Sequence, residues 1–144
     1  MQAAAPDLAA EGRRLIHRNG DGEVFLATVR GDGPLRIHPI NVAILDDHLY
    51  AFILAGPKGT DLERDGRYAM HTHQDPVAPS EFSLRGRAHP VTDRALRAAI
   101  AGSWSFEPDD TYGLFEFDID AAVLGTRPTA DDWPPVYTSW RASR

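Results

Sequence analysis

Residues 23–54 read EVFLATVRGDGPLRIHPINVAILDDHLYAFIL, and this stretch decides the fold class. Three runs are rich in β-branched, aromatic and aliphatic side chains, which favour strands, and they lie at residues 23–30, 35–45 and 49–54. Gly-Asp-Gly-Pro between the first two is a strong turn signal, and Asp-Asp-His joins the second to the third. Strands joined by such tight turns predict an antiparallel meander.

The rest of the chain adds further strands and small helices to this meander. We predict strands at residues 67–73, 81–91 and 112–119, with a final short strand at 121–126. Helices are predicted at residues 7–18, within 56–66, and from 93 to about 101. Thr92 is the expected cap of the last helix, Asp93 and Arg97 are an expected i,i+4 pair, and Gly86 is an expected bulge. The sequence therefore predicts a mainly β protein, a six-stranded barrel with small flanking helices.

Length and composition indicate one globular domain over residues 1–144, with 42% hydrophobic and 25% charged residues. The net charge of −6 disfavours binding to nucleic acid, and the absence of cysteine excludes disulfides and thiolate metal sites. The sequence has no run of 18 apolar residues and no basic segment followed by an apolar leader. We therefore expect a cytoplasmic protein that makes no membrane contact.

Gly-Pro-Lys-Gly-Thr at residues 56–60 is a candidate anion site. It lies between a predicted strand and a predicted helix, where the first N–H groups of the helix have no internal partners and attract anions. Lys58 is the only lysine among 15 basic residues, and it would supply a charge. Thr60 would supply a hydroxyl donor, and Gly56 would let a phosphate approach the backbone. The alternative is a plain capped turn with an exposed lysine.

A second candidate is the break in the predicted strand at Pro39, which follows Arg36 and His38. Proline leaves neighbouring backbone groups free to bind the edge of a planar ligand, although an ordinary edge-strand proline is the alternative. His71 and His73 alternate on a predicted strand and so face the same side. No third ligand is identifiable beside them, so no metal site is predicted.

In order and spacing, these segments resemble the pyridoxamine 5′-phosphate oxidase-like family of flavin-binding split barrels. The resemblance rests on FLATVRGDGPLRIHPINVAIL, HLYAFILAGPKGTDLERDGRYAMHTH and EFSLRGRAHPVTD, and it covers roughly residues 20–100. It implies a six-stranded antiparallel split β-barrel with flanking helices. It also implies a homodimer with two FMN sites at the interface and a small-molecule substrate.

The resemblance implies roles for particular residues as well. Lys58 matches the family's phosphate-binding basic position, and Glu81 lies where a polar residue reaches the flavin from the second subunit. The strand along the flavin ring and ribityl chain corresponds to His38, Pro39, Ile40 and Asn41. The facing strand corresponds to Phe52 and Ile53. C-terminal Trp and Arg positions approach the flavin in the family, which makes Trp140 and Arg141 candidates.

The chain departs from the true oxidase at the phosphate site. Lys58 follows Gly56-Pro57 where the oxidase has a Ser-Arg pair, and the oxidase's longer C-terminal segment and substrate-phosphate arginines are missing. We therefore expect an FMN-binding flavoprotein that is an oxidoreductase on an unidentified small molecule, and not a pyridoxamine phosphate oxidase.

Two other functions fit the same resemblance. A deazaflavin-dependent reductase of this fold needs arginines for a longer anionic cofactor tail, and candidates are Arg36, Arg64, Arg85 and Arg87. A non-catalytic flavin- or haem-binding module is also open, because a fold does not fix a function. Haem would take its axial ligand from His38, His71, His73 or His89.

The sequence also predicts the structure of the N-terminal and C-terminal segments. Residues 1–19 are expected to form an N-terminal helical segment. Residues 128–144 combine prolines with Trp133, Tyr137 and Trp140, which describes a stiff segment with aromatic anchors. We expect this tail to pack over the ligand groove, with a frayed terminus as the alternative.

Overall fold

The computed structural model describes residues 1–143, which form seven strands and three small helices. The strands are β1 (Gly22–Val29), β2 (Leu35–Leu45), β3 (His48–Leu54), β4 (Arg67–Thr72), β5 (Glu81–Pro90), β6 (Tyr112–Thr126) and β7 (Val136–Arg141). The helices are α1 (Pro6–Ile16), α2 (Pro57–Arg64) and α3 (Arg94–Gly102).

Six of the strands form a closed antiparallel barrel, which confirms the predicted fold class. Neighbouring strands pair in the order β3-β2-β1-β4-β5-β6, and β3 also pairs with β6 to close the ring. The seventh strand, β7, lies outside the ring and pairs with the later part of β6, from Ala121↔Arg141 to Thr126↔Val136.

Alternation along the strands directs one face of each strand into a common core. In β1, Val24, Leu26 and Thr28 are almost fully buried, whereas Phe25 points outward. Val24 and Leu26 share a core cluster with inward-facing residues of other strands, including Met70, Phe82 and Phe117. Helix α1 lays its buried side on the same core, so the interior of the barrel is filled with side chains.

Strand β3 is buried on both faces, as its lack of alternation predicts. Ala51 and Ile53 belong to the barrel core, whereas Tyr50 and Phe52 form a second cluster with Ile100 of α3. Helix α2, which follows β3 closely along the chain, therefore starts from a strand that is held on both sides.

The strands predicted at residues 112–119 and 121–126 are in fact one strand, because Asp120 lies in a bulge and does not end it. The pairing between β5 and β6 shifts register at Gly86, as expected for that glycine. A Cβ at Gly86 would lie 1.9 Å from the carbonyl oxygen of Asp118, so only glycine fits this close approach.

The cap of α3 also differs from the prediction, since Asp93 caps the helix and Thr92 does not. The Asp93 carboxylate accepts hydrogen bonds from two backbone N–H groups of the first turn, at 2.8 and 3.0 Å. The expected pairing of Asp93 with Arg97 is wrong, because the Arg97 guanidinium donates to the backbone carbonyls of Tyr112 and Asp109.

The predicted tail is ordered where it forms β7, so these residues are not frayed. Its last residue, Arg144, lies outside the described residues. Within residues 1–143 the longest helix is α1, with 11 residues, and none of the helices has the length and apolar character needed to cross a bilayer.

Candidate functional site

The edge of β2 is unpaired beside the start of α2. Strands β2 and β3 pair only from Ala43↔Tyr50 to Leu45↔His48. Beyond that short ladder, residues 35–42 pair with β1 on one side, while β3 continues along β6. The other edge of β2 therefore offers backbone N–H and C=O groups that have no ladder partner within residues 1–143.

The start of α2 supplies cationic and N–H groups. Lys58 is half-buried in the first turn and forms no ion pair with a carboxylate of residues 1–143. Because Pro57 has no N–H, Lys58 and Gly59 carry the free N–H groups of this helix start. The Thr60 hydroxyl donates to the carbonyl of Gly56 at 3.2 Å, so it is already engaged within the helix.

A buried carboxylate, Asp61, fixes α2 against the barrel. Its Oδ2 accepts hydrogen bonds from Thr28 at 2.9 Å and from Arg36 at 3.0 Å, and its Oδ1 accepts a longer one from Arg64 at 3.4 Å. Burial on its own raises the pKa of Asp61, but the hydrogen bonds from Arg36 and Thr28 outweigh burial and hold that pKa below its ordinary value. Asp61 is therefore ionised, and it positions Lys58 relative to β2.

His38 carries a ring nitrogen without a partner. Its Nε2 is buried and makes no hydrogen bond to any part of residues 1–143. Burial lowers the pKa of His38, and the positive charges of Lys58 and Arg36 lower it further. The imidazole is therefore neutral at pH 7, and both cations lie close enough to act on it. A buried unpaired nitrogen costs free energy, which a ligand that bonds to it would recover.

The remaining predicted residues of β2 line a neighbouring cavity. It has a volume of about 310 Å³ and is lined by Glu23, Pro39, Ile40, Asn41 and His73. The ring of His73 stacks on that of Phe25, with 4.3 Å between centroids. One wall of the cavity is thus made by the strand segment with the unpaired edge, and another by His73, whose ring Phe25 supports.

The two predicted residues of β3 are buried on opposite faces of that strand. Ile53 lies in the barrel core. Phe52 meets the edge of Trp104 at 5.2 Å between ring centroids, and the Arg97 guanidinium lies 4.9 Å from its centroid. Because neither side chain faces an open surface, β3 can offer a ligand its backbone and a rigid, dry support.

A second, larger groove runs over the outer face of the barrel, with a volume of about 550 Å³. Its apolar lining comes from Phe25, Ala27, Ile37, Ala69 and Val123. Polar groups at its margins come from His71, Arg85 and Arg141, and the half-buried Trp140 of β7 forms part of one wall. We call this feature the outer groove.

Glu81 is held at the start of β5, close to His71. It accepts a hydrogen bond from the Tyr137 hydroxyl at 2.8 Å, and its other oxygen lies 3.8 Å from Nε2 of His71. Gly125 pairs with both Glu81 and Tyr137, and a Cβ at Gly125 would lie within 3 Å of each side chain. Glycine is therefore needed for this contact between β5 and β7.

The predicted site residues thus fall into two places. The start of α2 gathers Arg36, His38, Gly56, Lys58 and Thr60, with the cavity of Pro39, Ile40 and Asn41 on the same strand. Glu81 and Trp140 instead lie with β5 and β7. Sequence reasoning missed Asp61 and its partner Thr28, because this contact joins residues 33 positions apart and no local pattern reveals it.

The fold occurs in solved structures that differ widely in sequence. The chain is similar to a haem-binding protein from Mycobacterium smegmatis, with a TM-score of 0.68 and 17% identity over 92% of this chain and 57% of that one. It is similar to general stress protein 26 from Bacillus anthracis, with a TM-score of 0.66 and 19% identity over 94% and 98% of the two chains. A putative pyridoxamine 5′-phosphate oxidase from Listeria innocua gives 0.66 and 14% over 81% and 97%.

These likenesses show the fold: the chain is a split barrel of the pyridoxamine 5′-phosphate oxidase-like type, as its sequence resemblance implied. The chain spans little more than half the length of the haem-binding protein. No protein-family model matches the sequence, and no curated protein matches it either.

Proposed function

We propose that the chain is an FMN-binding flavoprotein that acts as an oxidoreductase on a small molecule. The observation that carries this proposal is the group at the start of α2. Lys58 has no carboxylate partner in the described chain, two helix N–H groups are free, and Nε2 of His38 is buried without a hydrogen bond. A phosphate with an attached polar chain satisfies all of these groups at once.

In this proposal the phosphate binds at Lys58 and the N–H groups of Lys58 and Gly59. Arg36 adds to the positive potential, although its ion pair with Asp61 offsets part of its charge. The ribityl chain and ring then follow the unpaired edge of β2, past His38 and Pro39. The backbone of that edge supplies the directional hydrogen bonds that a planar heterocycle needs.

A bound flavin supplies hydride or electron transfer, and the protein supplies binding, orientation and electrostatics. Here Asp61 fixes the distance between α2 and β2, and neutral His38 supplies one hydrogen bond. Phe52, covered by Trp104, keeps water away from the back of β3.

The proposed flavoprotein is a homodimer. The outer groove exposes large apolar side chains, including Phe25 at 39% and Ile37 at 67% exposure, which is the kind of surface that a subunit interface covers. A second copy seated there brings its Glu81 and Trp140 toward the first copy's flavin. This arrangement accounts for predicted site residues that lie apart in a single chain.

Haem is a second candidate, supported by the geometry of His71. Its Nδ1 lies 2.6 Å from the carbonyl oxygen of Thr72, which can only accept, so Nδ1 is the donor and the neutral ring has its lone pair on Nε2. Metal-binding histidines commonly donate their other N–H in this way. The apolar outer groove would suit a porphyrin, with Arg85 and Arg141 near enough to its walls to pair with carboxylates.

The test is reconstitution of the purified protein with FMN, riboflavin, a deazaflavin and haem in separate titrations. We expect one FMN per chain, with the two-band visible spectrum of an oxidised flavin and quenched fluorescence, and weaker binding of riboflavin. Tight binding of the deazaflavin without binding of FMN would indicate that the protein is a deazaflavin-dependent reductase instead. A Soret band that His71→Ala abolishes would support the haem module, and failure to bind FMN would refute our first proposal.

Oxidoreductase activity needs its own measurement. The FMN-loaded protein should have its flavin reduced by NADH or NADPH, or by a small reduced donor, and should be reoxidised by an added acceptor such as a quinone. A flavin that binds but is reduced no faster than free FMN would identify the chain as a binding module.

A further inference from the structure

Four side chains with metal-binding atoms meet on the outer surface where β3, β6 and β5 lie side by side. His89, Glu116 and Asp118 each offer a ligand atom, and these three atoms lie within 4.8 Å of one another. The Nδ1 atom of His48 lies 2.5 Å from Oε1 of Glu116, and Nε2 of His89 lies 3.6 Å from Oδ2 of Asp118. We call these four residues the seam cluster.

The strand register places the seam cluster and makes its spacing rigid. Glu116 is the direct cross-strand partner of His89 on one side and of Tyr50 on the other. The ladder between β3 and β6 ends at the Tyr50 pair, and His48 and Asp118 lie two residues further along their strands. Adjacent strands lie about 4.8 Å apart, so these side chains converge without any change of backbone.

Two separations in the cluster can be compared with those of a four-coordinate metal. Bonds of about 2.0–2.2 Å in a tetrahedral site put neighbouring ligand atoms about 3.4 Å apart. The separation between His89 and Asp118 is already close to this value, and the contact between His48 and Glu116 needs only a small opening to admit an ion. Side chains that are partly exposed can make such adjustments by rotamer changes.

The donor set also selects a class of metal. Two imidazoles and two carboxylates suit Zn²⁺ and similar borderline divalent ions. Mg²⁺ and Ca²⁺ prefer six or more oxygen ligands, which this cluster does not provide. Arg87 is the cross-strand partner of Asp118, and its guanidinium donates to the carbonyl oxygen of Asp65. Arg87 is therefore engaged away from the carboxylates.

We propose that the seam cluster is a zinc-type metal site, with His48, His89, Glu116 and Asp118 as ligands. A metal there joins the first residue of β3 to β6 and β5, just beyond the point where the ladder that closes the barrel ends. Its effect is to hold the barrel closed at this seam. The site shares no residue with the start of α2, so metal binding is independent of the proposed flavin.

The test is calorimetric titration of the chelator-treated protein with Zn²⁺, and separately with Mg²⁺. We expect one Zn²⁺ per chain and no measurable Mg²⁺ binding. His89→Ala and Glu116→Gln should each weaken Zn²⁺ binding at least about tenfold. His17→Ala is the matched control, because His17 lies at the end of α1, where its Nδ1 is 3.0 Å from the backbone carbonyl oxygen of Arg13. This variant should bind Zn²⁺ as tightly as the parent protein.

Two further readouts separate a built site from loose surface binding. Co²⁺ should bind in place of Zn²⁺ and give the intense visible absorption of a four-coordinate complex. Saturating Zn²⁺ should raise the melting temperature of the parent protein and of His17→Ala, but not that of His89→Ala. The proposal is overturned if Zn²⁺ does not bind, if the cluster variants bind as tightly as the parent, or if the Co²⁺ spectrum is the weak one of an octahedral ion.

Discussion

Lys58 is the only lysine in the chain, and the flavin proposal depends on this single residue. Lys58→Ala should weaken binding of FMN more than binding of riboflavin, because riboflavin has no phosphate to lose. A charge-assisted contact of this kind contributes about 1.5–3 kcal/mol, or roughly ten- to hundredfold in affinity. Fluorescence quenching measures both dissociation constants.

The matched control for Lys58→Ala is Arg94→Ala, which removes one positive charge from an exposed position on α3. It should leave both affinities unchanged. Equal losses of FMN and riboflavin binding in Lys58→Ala would show that this side chain does not contact the phosphate.

A second prediction for a single residue concerns the pKa of His38. Its folded-state pKa should lie below the ordinary 6.5, because burial and two nearby cations disfavour the imidazolium. A bound phosphate should raise this pKa, since its negative charge offsets those cations. NMR titration of the imidazole with and without FMN measures both values, and a His38 pKa at or above 6.5 in the free protein would contradict this electrostatic account.

The lowered pKa of His38 also sets a direction for stability against pH. The unfolded chain takes up the proton more readily than the folded one, so the free energy of unfolding falls as the pH drops below about 6.5. His38→Gln removes the titrating group, and urea denaturation of this variant should show a smaller loss of stability between neutral and mildly acidic pH.

Individual site residues were predictable from the sequence only where a local pattern marks them. Lys58 follows a strand and a Gly-Pro pair, which indicates a helix start, and Pro39 interrupts a strand pattern. Asp61 has no such mark, since its hydrogen bonds to Thr28 and Arg36 bridge 33 and 25 positions. The residues of the seam cluster have no local mark either, because only the barrel register brings them together.

Among the secondary-structure elements, helix α1 can pack closely against the barrel because residue 12 is a glycine. A Cβ at Gly12 would lie 2.4 Å from the ring of Phe82, so the helix approaches β5 too closely for any side chain. Gly12→Val should therefore push α1 outward and lower the free energy of unfolding by about 1–3 kcal/mol. Gly102→Val is the control in another helix, because nothing lies within 4 Å of its Cβ position.

Urea denaturation of the two glycine variants gives the comparison. Valine has a better intrinsic helix propensity than glycine, and both substitutions make the same exchange, so the difference between the variants reports the contact with Phe82. Equal stabilities for Gly12→Val and Gly102→Val would mean that α1 is not seated as described.

Strand β7 carries the prediction about the tail. Deleting residues 128–144 removes Trp140 and Arg141 from the wall of the outer groove but leaves the six barrel strands paired. The truncated protein should unfold cooperatively and remain dimeric, while FMN dissociates faster. Stopped-flow displacement measures the dissociation rate of FMN. An unchanged rate would show that the tail does not contribute to the ligand site.

The strands could be predicted from the sequence where turn residues mark their ends and alternating apolar and polar residues mark their faces. The bounds of β2 agree with the sequence, because Gly-Asp-Gly-Pro and Asp-Asp-His delimit it. Strand β6 was divided at Asp120, since a bulge and a turn look alike in sequence until the partner strand is known. Strand β7 was expected only as a tail, because its exposed residues Val136–Arg141 lack the alternation of a half-buried strand.

At the scale of the whole molecule, the prediction is a homodimer with a mass near twice 15.8 kDa in light scattering at micromolar concentration. The apolar lining of the outer groove would then be buried in an interface of about 2,000 Å² or more. Ile37→Lys, at an exposed apolar residue of that surface, should shift the protein to monomer and weaken FMN binding. Val77→Lys is the control, since Val77 is more exposed than Ile37 but lies in the loop after β4. If the parent protein is a monomer, the outer groove is not a subunit interface.

The flavin proposal places the phosphate and polar chain of FMN at the start of α2 and along the free edge of β2. A crystal structure of the protein grown with FMN would show whether the cofactor binds there. We expect the phosphate within hydrogen-bond distance of Nζ of Lys58 and the N–H of Gly59, with a polar atom of the ligand bonded to Nε2 of His38. FMN bound elsewhere, with Lys58 and His38 still free of it, would refute the proposal.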